Sequence, residues 1–177
     1  MLAVEFIDRE ADTALADAAS ATAWLAARRI RSALPPGSEP ALAELRAAVE
    51  SLLRAAAGGG EPSAAALDRV NAASAAAPVA EQLDWPAGGR PRRWLATQAP
   101  PEQHVHALLA RSAMALIAEH AGAPLRECEA PRCGRIFIAD NPRRRWCSTA
   151  CGNRVRVARH ASRRRGTGLE PTYRDGL

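Results

Sequence analysis

Apolar residues recur along the first two thirds of the chain at the three- and four-residue steps of helices, punctuated by proline and glycine. Between Asp12 and Arg31, Leu15, Ala18, Ala19, Ala23, Trp24 and Ala27 share this spacing, predicting a first helix that Leu34-Pro35-Pro36-Gly37 cannot continue. Ser38 or Glu39 opens a second helix, with Leu42, Leu45, Val49, Leu52 and Leu53 on one stripe and Gly58-Gly59-Gly60 as its stop. A third, shorter helix runs from Ser63, with Pro62 at its entry, to about Ala76. The pattern then changes. Val79, Leu83 and Trp85, the turn Pro86-Ala87-Gly88-Gly89, and Arg93, Trp94 and Leu95 read as a short irregular hairpin, weakened by Pro91. From Glu102 to Ala121, Val105, Leu108, Leu109, Ala113, Leu116 and Ile117 form another amphipathic helix, which Gly122 and Pro124 end.

No internal repeat is visible, and residues 166–177 read as a flexible polar tail. The expected fold is mainly α. A helical N-terminal domain (1–122) carries the hairpin, and residues 125–165, in which four cysteines fall as two close pairs around a hairpin and a helix start, form a small treble-clef-like zinc finger. The 177 residues are 47% hydrophobic but only 4% aromatic, so the core should be alanine and leucine on packed helices. No run of 18 apolar residues exists and the N-terminus is acidic, which predicts a cytoplasmic chain without a leader or membrane span.

Charge is segregated. Residues 1–125 hold 11 arginines against 14 acids, whereas residues 126–177 hold 13 arginines against 5 acids. Lysine is absent, as a GC-rich genome would favour, yet codon bias does not explain the segregation, which predicts an anionic partner.

All four cysteines fall in this basic segment, as Cys128-x4-Cys133 and Cys147-x3-Cys151. In a reducing compartment such crowding points to a metal before disulfides. Two close pairs brought together by a hairpin satisfy tetrahedral zinc with little loop-closure cost. Free thiols, a redox pair and an iron–sulfur cluster are the alternatives; the chain lacks Cys-x-x-Cys and the tight three-cysteine run of common clusters. Pro131 and Gly134 bend a knuckle, Arg135-Ile136-Phe137-Ile138 reads as a strand, Asp140-Asn141-Pro142 as a turn, and Arg144-Arg145-Trp146 as a returning strand. Ser148 or Thr149 then caps a helix reaching about Arg163.

Four cysteine ligands leave no open coordination position, so the expected zinc, one per chain, is structural. His104 and His106 cannot share a helical face and read as solvent-facing; His120 and His160 also read as surface residues, with His160 a reserve ligand. Paired carboxylates, a nucleophile elbow and a phosphate-binding glycine loop are all missing, which predicts a protein that is not an enzyme.

Cys128 through Arg165, above all Arg145-Trp146-Cys147-Ser148 and Cys151-Gly152-Asn153-Arg154, resemble the CGNR zinc-finger family. The helical region before them is similar to the domain that accompanies this finger in bacterial proteins described as candidate stress-induced or DNA-binding transcriptional regulators. That domain usually opens with an apolar segment ending in Asn-Thr, where this chain reads Val4-Glu5-Phe6-Ile7-Asp8-Arg9. The resemblance implies zinc ligation by Cys128, Cys133, Cys147 and Cys151, and a regulatory role.

Arg126, Arg132, Arg135, Arg143, Arg144, Arg145, Arg154, Arg156, Arg159, Arg163, Arg164 and Arg165 surround the expected ion. A zinc held by four thiolates carries a formal charge of about −2, so Arg145 or Arg154 could neutralise the site. The nucleic-acid candidates are Arg143, Arg144, Arg145, Arg154, Arg156, Arg159, Arg163 and Arg164, with Arg156, Arg159 and Arg163 on one helical face. Asn153 is expected to hold the backbone rather than read adenine, and Trp146 to fill the finger's core rather than stack on a base. The leading expectation is a DNA-binding transcriptional regulator, dimeric because one finger offers few contacts, whose helical domain either dimerises or senses an unidentified small-molecule effector. An RNA-binding zinc module, or a small-molecule-binding helical body with a purely structural finger, are the alternatives.

Overall fold

The computed structural model describes residues 2–119 and 125–166, with the side chains of 119 and 164–166 outside that description. The expectations for the tail beyond Gly166, for His120, for Gly122 and Pro124 as helix stops, and for the Arg164 side chain lie outside the described residues.

The chain folds as α1 (Leu2–Phe6), α2 (Glu10–Ala14), α3 (Ala18–Ala27), α4 (Glu39–Gly58), α5 (Ala64–Ala75), β1 (Ala80–Asp84), β2 (Arg92–Ala96), α6 (Pro101–Glu119), β3 (Leu125–Glu127), β4 (Ile136–Ile138) and α7 (Thr149–Gly166). A mainly helical protein with a small hairpin and a C-terminal cysteine cluster is thus what the periodicity predicted. The first helix differs. Instead of one helix over 12–31 there are two, preceded by a third in the opening residues. Asp17 is the cause: its backbone is extended (φ −143°, ψ 161°), and its carboxylate accepts from the Ser20 N–H at 2.8 Å as the N-cap of α3. An aspartate that can cap is worth more to the helix after it than to one running through it. The α4 boundaries follow the reading, with Gly59 in the left-handed conformation (φ 68°) at its C-cap.

Helix α4 is the centre of the body. Its buried stripe of Leu42, Leu45, Val49, Leu52 and Leu53 meets Phe6 of α1, Val70 of α5, and Val105, Leu109 and Leu116 of α6 in one continuous core. Half-buried arginines fasten the helix ends. Arg46 donates to the carbonyls of Phe6, Ile7 and Asp8 at 2.7, 3.2 and 2.9 Å, supplying partners that the C-terminus of α1 lacks. Arg111 does the same for the end of α5, donating to the Ser74 and Ala77 carbonyls at 2.7 and 2.6 Å. Much of the arginine in the acidic half is therefore structural.

His104 and His106 are not on the solvent-facing side. Both are half-buried on α6, each with one ring nitrogen buried and without a hydrogen-bond partner, and burial holds the His106 imidazole below its ordinary pKa. Val105 between them is fully buried, so its neighbours are drawn into the flanks of the same face. Among the described residues no helix is long and apolar enough to cross a membrane.

Candidate metal centre and nucleic-acid interface

The finger begins at β3, whose antiparallel partner is β4, with Leu125 opposite Ile138, Arg126 opposite Phe137 and Glu127 opposite Ile136. Side chains alternate across a strand, and both faces of β4 are used. Ile136 joins the core built on α4, with Ile138 and Leu125 on the same side, while Phe137 points into a second cluster around the cysteines. Arg54 of α4 meets Glu127 at 3.0 Å, and Arg135 meets Asp8 and Glu10 at 3.0 and 3.3 Å. The finger is thus seated on the helical body through a shared apolar layer.

The expected returning strand Arg144-Arg145-Trp146 does not form; β4 pairs backward with β3 instead. Asn141 makes the turn, its side chain accepting from the Arg143 N–H at 2.8 Å and its carbonyl from the Arg144 N–H at 2.9 Å. The Arg144 guanidinium then curls back onto the Trp146 and Cys147 carbonyls at 3.0 and 2.6 Å. Carbonyls given to a guanidinium are not available to a ladder. One backbone bond, Glu129 N–H to the Arg145 carbonyl at 3.1 Å, ties this segment to the knuckle.

The four sulfurs lie within 4.8 Å of one another. Cys133 to Cys147 is 3.7 Å, Cys147 to Cys151 is 3.6 Å, and Cys151 to Cys133 is 3.7 Å. A tetrahedron with metal–sulfur bonds of about 2.3 Å has edges of about 3.8 Å. Three edges of the cluster match this value and Cys128 stands within 4.8 Å of the others, so the donor set fits one zinc ion. Cys128 Sγ also accepts from the Cys147 N–H at 3.3 Å, and Cys151 sits in the first turn of α7, where the Ser148 hydroxyl accepts from its N–H at 3.2 Å. The Ser148 contact, followed by Cys147, Cys133 and Arg154, brings the Cys151 thiol down to about 6, while burial and the neighbouring sulfurs push Cys147 up to about 12. A divalent cation lets all four ionise together. His160 is exposed on α7, outside the cluster.

Each residue of the Cys-Gly-Asn-Arg run has a visible task. Cys151 is a ligand. A Cβ on Gly152 would lie 3.2 Å from Cε3 of Trp146, so glycine lets the indole close over the start of α7. Asn153 accepts a hydrogen bond from Arg156 through its side chain, and Arg154 donates to Cys151 Sγ at 3.0 Å. Trp146 packs with Cys128, Phe137, Cys151 and Val155 in the small core of the finger.

The eight candidate arginines divide. Arg144 is half-buried and engaged with two carbonyls, Asp140 and the face of Phe137; Arg154 serves a thiolate; Arg145 pairs with Glu129. Of the two offered as charge-neutralising, Arg154 touches a sulfur while Arg145 answers an acid. Arg143, Arg156, Arg159 and Arg163 are exposed. An open groove of about 520 Å³ runs between the turn and α7, lined by Asp140, Arg144, Trp146, Ser148, Thr149, Gly152 and Arg156. Sequence reasoning missed the ion pairs of Arg135 and Arg54 to the opposite module; apolar residues on both faces of β4 were the available signal.

A helical body with a four-thiolate zinc finger packed on its core is the class of protein that this fold and site define. The chain belongs to the ABATE family, described as a putative stress-induced transcription regulator, whose model matches residues 2–120. The CGNR zinc finger model matches residues 125–164. No curated protein matches the chain.

Proposed function

We propose that this protein is a cytoplasmic, bacterial-type transcriptional regulator whose finger contacts DNA, mainly through arginine and phosphate, with zinc organising the finger and performing no chemistry. The carrying observation is α7. Among the described side chains Val155 is the last buried one, and from Arg156 to Arg163 only Ala161 is even half-covered. Residues 141–166 contain nine arginines and no acidic residue. This uncovered stretch, Arg156 to Arg163, is on the order of 12 Å long, enough to follow a duplex groove with its arginines at the phosphates.

In this reading Arg143, Arg145, Arg156, Arg159, Arg163 and Arg164 meet phosphates, Arg145 exchanging Glu129 for the nucleic acid. Arg144 and Arg154 keep the knuckle and the thiolates in place. The groove beside Trp146 adds hydroxyls at the start of a helix, a setting that favours anions. The test is competition between duplex DNA and single-stranded RNA of equal length for the zinc-loaded protein, followed by fluorescence anisotropy. Duplex DNA should win. Preference for RNA would move the reading to an RNA-binding module, and no binding to either at low salt would leave the finger structural.

A further inference from the structure

The β1–β2 hairpin is uncovered on both faces. Its strands pair with each other from Ala80 opposite Ala96 to Asp84 opposite Arg92, both outer edges are free, and among the described residues no helix packs broadly against it. Yet it carries most of the large exposed apolar side chains among the described residues: Leu83 is 66% exposed, Trp85 68%, Trp94 51% and Leu95 53%. A lone two-stranded hairpin is marginal in water, and indoles are seldom left there without a use.

We infer that this hairpin is a self-association surface, a second copy of the chain packing across it about a two-fold axis. Three observations favour a second copy over another occupant. Knob and hole lie on the same surface: at the hairpin's base, next to Trp94, opens an apolar cleft of about 410 Å³ lined chiefly by Ala76, Pro78, Val79, Ala80, Ala96 and Ala99. A two-fold axis sets each copy's Trp94 against the other's cleft, the self-complementarity an isologous dimer requires.

The charges point the same way. Arg92 meets Asp84 at 2.7 Å and Arg93 meets Glu81 at 3.2 Å, so the hairpin satisfies most of its own arginines and offers neither a nucleic acid nor an acidic peptide a concentrated field. The area fits as well. Trp94 stands on the cleft side of the hairpin and Leu83 and Leu95 on the other, so a partner copy that grips both faces and the free strand edges covers on the order of 500 Å² of these apolar side chains and reaches toward the roughly 800 Å² per partner of a stable interface. The inference stands independently of the DNA reading, since it uses no residue of the finger.

The experiment is sedimentation velocity on the full zinc-loaded chain over a concentration series, beside the double variant L83R/W94R checked for unchanged helix content and zinc. The wild type should show a mass twice that of the variant. Fluorine NMR on 5-fluorotryptophan-labelled wild type keeps the question open to refutation if the variant misfolds. On dilution the Trp85 and Trp94 resonances, assigned with W85F and W94F, should shift while those of Trp24 and Trp146 hold still. A monomer at every concentration, a folded variant that still dimerises, or a dimer whose Trp85 and Trp94 signals ignore dilution would overturn the inference.

Discussion

Ile136 lies in the finger by sequence but in the helical body by packing, and Ile136→Ala separates the two. The side chain is 2% exposed and shares a core with α4, facing away from the cysteines. Burying isoleucine contributes about 1.5–3 kcal/mol, and truncation to alanine adds a cavity, for a usual total of about 2–5 kcal/mol. A three-residue strand at the rim of the core relaxes more readily than the middle of α4, so about 3 kcal/mol is the expected loss. For a chain of this size that is roughly 6–12 °C in Tm. The assay is thermal unfolding by far-ultraviolet circular dichroism, which reports the helices, with zinc content measured on the same sample. Phe137→Ala is the control: it faces the cysteine cluster and should weaken zinc retention more than it lowers the main melt. A main helical transition that stays in place in Ile136→Ala, with zinc bound, would refute the shared core.

Zinc removal by a chelator should unfold the knuckle and part of α7, and should also lower the main melt, because Leu125 and Ile136 lose their support; two independent transitions would contradict this. Gly152→Ala forces Trp146 aside by a few tenths of an ångström, an overpacking cost of about 1–2 kcal/mol, visible as roughly ten-fold weaker zinc binding in a chelator competition. Asp17 is held below its ordinary pKa, chiefly by the Ser20 N–H and then by the Ser20 hydroxyl. Its contribution is therefore complete above the unfolded value of about 3.9 and is lost as pH falls through the lower folded value. Asp17→Asn keeps a capping oxygen without a proton to gain, so its Tm should fall less steeply than the wild type's over that acid window.

The helices with strong stripes were legible because local periodicity and capping agree there: Ser63 caps α5 and the glycines close α4 where their chemistry says they should. The break at Asp17 was not, since alanine-rich sequence continues the helical period on both sides and only the cap competes with it. The cysteine cluster was legible from its spacing, being local in pairs. The partner of β4 was not, because β3 precedes the knuckle and is only three residues long, while the more obvious Arg144–Trp146 is drawn out of the ladder by an arginine folding back on its own carbonyls. The same effect refines the reading of charge. An arginine count predicts an anionic partner, but which arginines face outward depends on which carbonyls, sulfurs and acids claim the rest, and those contacts form only in the fold.

Contact between α7 and DNA phosphates is tested most directly by duplex-DNA affinity over a salt series, for the zinc-quantified wild type and for the variant with Arg156, Arg159 and Arg163 all changed to alanine. Each phosphate contact removed should flatten the log–log slope by about 0.9, so the triple variant should lose up to about 2.7 of slope together with affinity. An unchanged slope in a folded, zinc-loaded variant would contradict the proposal and return the search for function to the helical body.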